Sequence, residues 1–487
     1  MKIRIRRAAV AAALAVATVA TLAGFAGANV PLTQVSVDPY VNTTSQHATE
    51  VEPDTFAYGA TVVATFQVGR FFNGGGSDIG VVRSGDGGAT WDAPGFLHLT
   101  FNSGSTGPYE RASDPSVAYD AAHGVWLISS LPLLPDVSSP TVLINRSTDD
   151  GRTWGSPINI PPPVSNSVDL DKNWTVCDNH PASPFYGHCY TQFDNFGDGD
   201  RLLMSTSIDG GFTWSAPIQP PGHDKGLGGQ PVVQPSGRVI VPYEALNNAI
   251  SAFYSDDGGA SWSRSAKVAG IHFHDVAGNL RTSPLPTAEI AADGTVYVAW
   301  EDCRFRKRCG SNDIVFSTPT DGVTWSAPAR VPIDVVTSAA DYFIPGLAVD
   351  PGSSGSSTRL ALTYYFYPDA SCTGGCQLEV GYISSPNGGA SWGAPTQLAG
   401  PMMLSDIAQT SQGPMVGDYI STSISGATAT TVFAVGLPHS GSTFDEAMYA
   451  PTGPLPLATA DQATRAASSR GVVVSGTGAR NGAIHRR

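Results

Sequence analysis

The chain has 487 residues, with 27 lysines and arginines against 41 aspartates and glutamates, and its net charge of −14 excludes a general affinity for nucleic acid or anionic membrane. Only 14% of residues are charged, while 54 are glycine and 37 proline, which excludes a helical bundle and fits many short strands joined by tight turns. At the start, Lys2, Arg4, Arg6 and Arg7 precede an apolar Ala/Val/Leu run that ends in Ala26-Gly27-Ala28, the pattern of a cleaved export signal. Residues 1–28 are therefore expected to be removed, leaving a secreted, extracellular protein of 23 basic and 41 acidic residues with no membrane insertion.

Along the rest of the chain one pattern recurs, Ser-x-Asp-x-Gly-x-Thr/Ser-Trp. Four copies are complete, at Ser84–Trp91, Ser147–Trp154, Ser207–Trp214 and Ser255–Trp262. A fifth keeps Gly322, Thr324 and Trp325 with Asp321 displaced by one position, and a sixth, ending at Trp392, has Asn387 in place of the acid. The spacing suits a β-hairpin turn: glycine supplies the left-handed backbone, the carboxylate accepts exposed backbone N–H groups, and the Trp closes the hairpin against a neighbouring sheet. An amide oxygen still accepts, so Asn387 fits the same role. An apolar strand precedes each copy, as at 79–83, 142–146 and 314–317, and the copies recur every 48 to 67 residues, enough for a four-stranded sheet with loops.

This pattern resembles the Asp-box (BNR) repeats of sialidase-like bacterial proteins, over roughly residues 45–440. The resemblance implies an all-β fold, a β-propeller of four-stranded blades. Two unboxed strands follow the last copy, at 416–424 and 431–436, and an orphan strand at 32–37 precedes the first. The economical arrangement is a seventh blade built from both chain ends, with six blades as the alternative. The expected division is a signal at 1–28, the propeller at 29–450 and a disordered tail at 451–487.

The six cysteines fall into close pairs, Cys177 with Cys189, Cys303 with Cys309 and Cys372 with Cys376, which in an exported chain read as disulfides. No second Cys-x-x-Cys or paired His lies nearby to make zinc sites. Asp194, Asp198 and Asp200 carry oxygen ligands of the kind calcium takes; no other cofactor is expected.

In a propeller the loops that enter the innermost strands converge on the face opposite the box turns, so their polar residues are the site candidates. Among them are Arg111 and Asp114, Lys172 and Trp174, Glu244, Arg281, Asp302 and Arg304, and Asp418 with Tyr419. The run Arg304–Arg308 lies inside the Cys303–Cys309 pair as a basic rim suited to a carboxylate-bearing sugar. Sialidases hold their substrate carboxylate with three arginines and use an Asp acid/base and a Tyr nucleophile activated by a Glu. The resemblance implies those roles for Asp114 (acid/base), Tyr419 (nucleophile) and Glu244 (its base), with Arg111, Arg281, Asp302 and Arg304 binding substrate. The Phe/Tyr-Arg-Ile-Pro motif that carries the first arginine in most sialidases has no match here. Two functions are carried forward: a sialidase-like glycoside hydrolase acting on acidic extracellular glycans, and a non-catalytic propeller that binds glycan or protein at the cell surface. A monomer with a carbohydrate partner is expected in either case.

Overall fold

The computed structural model describes residues 30–319 and 321–469; the expected export signal lies outside them. Apart from short 3-10 turns and one helix at Ala460–Ser469, the regular structure is antiparallel β. In chain order the strands form sheet I (Glu50–Tyr58, Thr61–Arg70, Gly76–Ser84, Gly95–Phe96), sheet II (Arg111–Asp120, Val125–Leu133, Leu143–Ser147, Ile158–Asn159) and sheet III (Leu170–Cys177, Cys189–Asn195, Arg201–Ser207). Sheet IV follows (Gly226–Leu227 and Val232–Val233, then Val239–Ala245, Ala249–Ser255, Ala266–Gly270), then sheet V (Thr287–Ile290, Val296–Asp302, Asp313–Ser317, Ala329–Arg330) and sheet VI (Asp341–Val349, Leu360–Tyr367, Gln377–Ser385, Thr396–Met403). Sheets I and II are linked edge to edge by the single pair Gly76 and Ala112. Sheet VII takes Ser421–Ser425, Thr428–Gly436 and Glu446–Pro451 from the C-terminal part, and Leu32–Gln34 pairs onto it with Leu32 opposite Pro451 and Gln34 opposite Tyr449. The orphan N-terminal strand thus completes the last sheet, as the sequence suggested.

First strands of successive sheets touch in order from I through VII and back to I. At six of these seven junctions a side chain on one strand bonds the backbone of the next. Val117 N donates to Asp54 (2.8 Å), Thr175 N to Ser116 (2.9 Å), Ala288 N to Gln230 (3.0 Å) and Leu347 N to Thr287 (3.3 Å). Thr422 Oγ1 donates to Gly346 O (2.8 Å), and Ser421 Oγ to Thr55 O (3.1 Å), which joins the two ends of the chain. Among the described residues, no such bond joins the first strands of III and IV.

The repeated turns behave as their spacing predicts. In the first, Thr90 N and Thr90 Oγ1 both donate to the Asp86 carboxylate (2.8 and 2.7 Å), and Gly88 N donates to Ser84 Oγ (2.9 Å). Asn387 takes the same place, accepting from Ser391 N at 2.8 Å. Each turn glycine packs on the preceding sheet: a Cβ on Gly211 would stand 2.8 Å from Leu127, and one on Gly88 2.5 Å from Thr430 of sheet VII. The six turn tryptophans fill six gaps, Trp154 between I and II, Trp214 between II and III, Trp262 between III and IV, Trp325 between IV and V, Trp392 between V and VI, and Trp91 between VII and I.

The gap between VI and VII has no turn tryptophan, and here the structure corrects the expected tail. Beyond 450 the chain continues as Leu455–Pro456, paired to Thr428 and Ala429, with Leu455 buried among residues of sheets VI and VII. Tyr382 Oη donates to Pro456 O (3.2 Å) and Ala458 N donates to Ser384 Oγ (2.9 Å). The segment thus substitutes for the missing Trp, and helix Ala460–Ser469 follows it; low complexity in the sequence concealed a gap that had to be filled. Residues 470–487 of that expected tail lie outside the described residues. All three cysteine pairs are disulfides, with Cα separations of 4.0, 4.8 and 5.2 Å. Leu455→Ala is expected to cost about 2–5 kcal/mol, the range for truncating a buried leucine, read as a fall in the unfolding midpoint in denaturant; an unchanged midpoint would show that the segment does not close this gap.

Candidate functional site

The first strands of I, II, III and VI share a local device. Each carries a β-bulge, marked by register shifts after Val51, Ser113, Asp171 and Phe343. In every one a non-glycine residue takes left-handed backbone: Glu52 (φ +56°), Asp114 (φ +46°), Lys172 (φ +48°) and Ile344 (φ +49°). Such residues cost of order 1–3 kcal/mol each and persist where surrounding structure over-determines them. A bulge re-aims a side chain out of the strand's alternation. Here it brings Glu52, Asp114 and Lys172 from three sheets to one centre.

Lys172 Nζ donates to Asp114 Oδ1 (3.0 Å), to Glu52 Oε1 (3.5 Å) and to Asp418 Oδ2. Its three protons therefore meet three carboxyl groups. Arg281, from the connection between sheets IV and V, clasps Asp418 with two nitrogens, Nε at 2.6 Å from Oδ1 and Nη2 on Oδ2. Asp418 N donates to Glu52 Oε1 (3.3 Å), Ser113 Oγ to Asp114 Oδ2 (2.7 Å), and Gln67 Nε2 to Glu52 Oε2. Asp114, Lys172 and Asp418 are each less than a tenth exposed.

The charges at this centre are driven apart. Burial, reinforced by Asp114, pushes Glu52 up to about 8, so it keeps its proton at neutral pH. For Asp418 burial acts the same way, but Arg281 and then Lys172 outweigh it and hold the carboxylate far below the usual range. Burial opposes the charge on Lys172, yet Asp114, Asp418 and Glu52 raise it well above an ordinary lysine, so it stays an ammonium. Burial, then Asp114, pushes Asp171 up to about 6.

Tyr419 lies against this centre. Its hydroxyl donates to Pro115 O (3.1 Å), and its ring meets Trp174 edge to face at 5.1 Å between centroids. Burial raises the phenol well above its usual value, with Glu52 and Asp114 the next causes. A narrow crevice of about 20 Å³, with room for about one water, lies beside Lys172 at the junction of sheets III and IV, lined by Trp174, Tyr419, Gly228, Gly229, Gln230 and Pro286.

Of the residues singled out in the sequence, Asp114, Lys172, Trp174, Arg281, Asp418 and Tyr419 converge here, while Arg111, Glu244, Asp302 and Arg304 do not. Arg111 is spent on Asn73 Oδ1 (2.6 Å), Gly74 O (3.2 Å) and Glu110 (3.2 Å), stacked over Phe71. Arg304 is clasped by Asp302 through Nε (2.8 Å) and Nη2 (2.6 Å), while Asp302 also accepts from Trp300 Nε1 (3.2 Å) and His272 N (3.1 Å). These two are structural partners, and Arg306 of the same loop is buried on Asp313 and Asp334. Glu244 lies on the second strand of sheet IV, with Glu301 as its acidic neighbour; burial pushes it up to about 7, and it is absent from the charges that act on Tyr419. The acids that do act on that phenol are Glu52, Asp114, Asp54 and Asp418.

Sequence reading missed Glu52 altogether. Its signal was the acidic residue before proline at the start of a first strand, Glu52-Pro53 and Asp114-Pro115, with Ile344-Pro345 as an apolar counterpart. Asp194, Asp198 and Asp200 do not gather: Asp198 pairs with Arg201 (2.6 Å), and among the described residues the one triad of potential metal ligands is Asp120 with the disulfide-bonded Cys177 and Cys189.

No family model matches the chain. A curated sialidase of Bacteroides fragilis is 33% identical over 100 residues, 17% of this chain and 18% of that protein, so the chain spans less than a fifth of the relative it matches. Among solved structures, an ulvan lyase of polysaccharide lyase family PL25, bound to -[GlcA(1-4)Rha3S]-, superposes with a TM-score of 0.50 at 11% identity, over 89% of this chain and 99% of that one. The phage phi92 endosialidase gives 0.49 at 13% identity, over 94% and 72%. The similarity is sialidase-like in a short stretch of sequence, and the all-β fold is shared with the lyase.

Lys172→Met should leave Glu52, Asp114 and Asp418 buried with one cation fewer. Breaking a buried pair from one side costs about 3–5 kcal/mol, so a clear loss of stability in denaturant at pH 7 is expected, and an unchanged midpoint would mean that Lys172 does not hold the three acids together.

Proposed function

We propose that this chain is a secreted glycosidase built on a seven-bladed propeller, monomeric and spanning residues 29 to about 459, with its active centre on Lys172. The observation that carries this reading is the pair of oppositely perturbed carboxyls on one ammonium: Glu52, protonated at neutral pH, and Asp418, held ionised. Environments that drive neighbouring carboxyls apart are how one site runs acid and base steps at the same pH. Asp114 is the acid/base that meets the glycosidic oxygen, exchanging its proton with Glu52. Tyr419 is the nucleophile, and because its hydroxyl is bonded to Pro115 O in the resting state, attack on the anomeric carbon requires that bond to be released while the Glu52/Asp114 pair takes the phenol proton. Glu52 takes the place of Glu244: its own proton passes by way of Asp114 to the leaving glycosidic oxygen, and the carboxylate so formed takes the phenol proton. Lys172 and Arg281 fix the carboxylates and do not titrate.

A second reading, a glycan-binding propeller without turnover, is favoured by one observation: the donors of Lys172 and the hydroxyl of Tyr419 are already engaged by the protein. A panel of neutral and acidic oligosaccharides assayed with purified mature protein separates the two. Turnover should fall by at least 100-fold in Asp114→Asn and Tyr419→Phe with the fold intact, in keeping with the usual 10²–10⁴-fold contribution of general acid/base catalysis. It should also decline as pH rises through about 8, where Glu52 loses its proton. Binding without cleavage supports the second reading, and cleavage that survives Tyr419→Phe removes that residue as nucleophile.

A further inference from the structure

We infer that the cleft between the repeated turns of sheets II and III docks a peptide segment of a partner protein, one that carries a carboxylate beside an apolar side chain. The cleft lies at the far end of the sheets from Lys172: Ser147 pairs with Trp126, whereas Leu133, at the other end of that strand, pairs with Arg111 beside the acid centre. The inference stands apart from the glycan reading.

The repeat itself shows what is unusual here. In sheet I the residue before the turn serine is Arg83. Its Nε donates to Asp150 O of the next turn (2.6 Å), and its Nη nitrogens pair with Asp92 (3.1 Å) and Asp150. Arg146 holds the same place in sheet II, and its Nε likewise donates to the next turn, at Gly210 O (2.6 Å). The places of Asp92 and Asp150, however, are taken by Gly155 and Gly210, so both counter-ions are gone. The neighbouring turn carboxylate, Asp209, is spent on Ser207 and Thr213, and among the described residues no acid pairs with Arg146.

A cleft of about 450 Å³ opens beside this guanidinium, walled by Asp149, Trp154, Gly155, Ile158 and Phe212. That is within the range of roughly 300–1,000 Å³ that ligand sites occupy. Arg146 lies flat over the Phe212 ring, 3.3 Å from its centroid, with Nη1 and Nη2 left for a ligand. Asp149 does not repel one strongly, because its carboxylate already accepts from Ser147 Oγ, Arg152 N, Thr153 N and Thr153 Oγ1.

Two further observations favour a peptide as the occupant. Ile208 and Phe212 are 65% and 60% exposed on the rim. The turn does not need them: the same two places hold Gly85 and Ala89 in the first copy, Asp256 and Ala260 in the fourth, and Pro386 and Ala390 in the sixth. Exposed apolar side chains grouped with aromatic rings and an arginine have the composition of a protein–protein hot spot, and a guanidinium without its acid takes a carboxylate through paired hydrogen bonds.

The experiment sets the full mature chain on an array of capped pentapeptides that place Glu beside Leu or Phe, each with a twin carrying Gln for Glu. Binding of the strongest acidic peptides should be at least tenfold weaker for the Gln twin, and at least tenfold weaker in Phe212→Ala and in Gly155→Asp. Gly155→Asp gives Arg146 the counter-ion that Arg83 has, and since a Cβ there meets only Arg146 O at 3.5 Å, its unfolding midpoint should stay near wild type. Twins that bind equally, acidic peptides that both variants still bind, or an array without a binder overturn the proposal. Acetate or sulfate bound at Arg146 with no peptide bound means an ion site only, and an oligogalacturonate whose binding Gly155→Asp abolishes gives the cleft to a glycan; both overturn it. A dimer in sedimentation that Phe212→Ala dissolves makes a second copy of the chain the occupant and overturns it too.

Discussion

The ammonium of Lys172, buried among Glu52, Asp114 and Asp418, is the constraint on which the rest of the structure turns. Two carboxylates and a third buried acid cannot share a water-poor centre without a cation, and a lone ammonium could not be buried without them. The four groups come from sheets I, II, III and the start of VII, so their meeting requires the ring of first strands to close. The left-handed backbone of Glu52, Asp114 and Lys172 follows from the same requirement: an ordinary strand would alternate these side chains between faces, and the bulge turns them to the middle.

Closure is spread over many small contacts. Each turn glycine and tryptophan seals one gap, side chains hook one first strand to the next, and the gap without a tryptophan is filled by Leu455. The chain ends share the last sheet through Leu32–Gln34. Among the described residues the junction of III and IV lacks a hook, and the narrow crevice lined by Gly228 and Gly229 lies there. That crevice, lined by Trp174 and Tyr419, lies next to the polarised acids.

Much of the fold was legible because the repeated turn is local: Asp86 and Thr90 meet within four residues, and the glycine and tryptophan have fixed offsets. The disulfides and the N-terminal strand were legible for related reasons, short loops in one case and an unpaired strand in the other. The centre was less so. Lys172 and Asp418 are 246 positions apart, and their contact depends on the bulge at Lys172 and on the segment that leads into the first strand of sheet VII, which hydrophobic alternation does not reveal. Arg111 and Arg304 were chosen by their order in the chain, but order says nothing of the neighbours that neutralise them, Glu110 and Asp302. Glu244 was drawn from the same ordering and lies on the second strand of sheet IV, away from the charges that act on Tyr419. The Leu455 segment was hidden because two buried residues in a Gly/Ala/Pro-rich stretch produce no period.

The most direct measurement of the central claim, that glycan is received beside the Lys172 centre, is amide hydrogen exchange on the whole mature chain with and without a bound oligosaccharide. The account predicts added protection in the segments around Lys172–Trp174, Gly228–Gln230 and Asp418–Tyr419, with the turns at Ser147–Trp154 and Ser207–Trp214 unchanged. Protection confined to those turns, on the opposite end of the sheets, would contradict it.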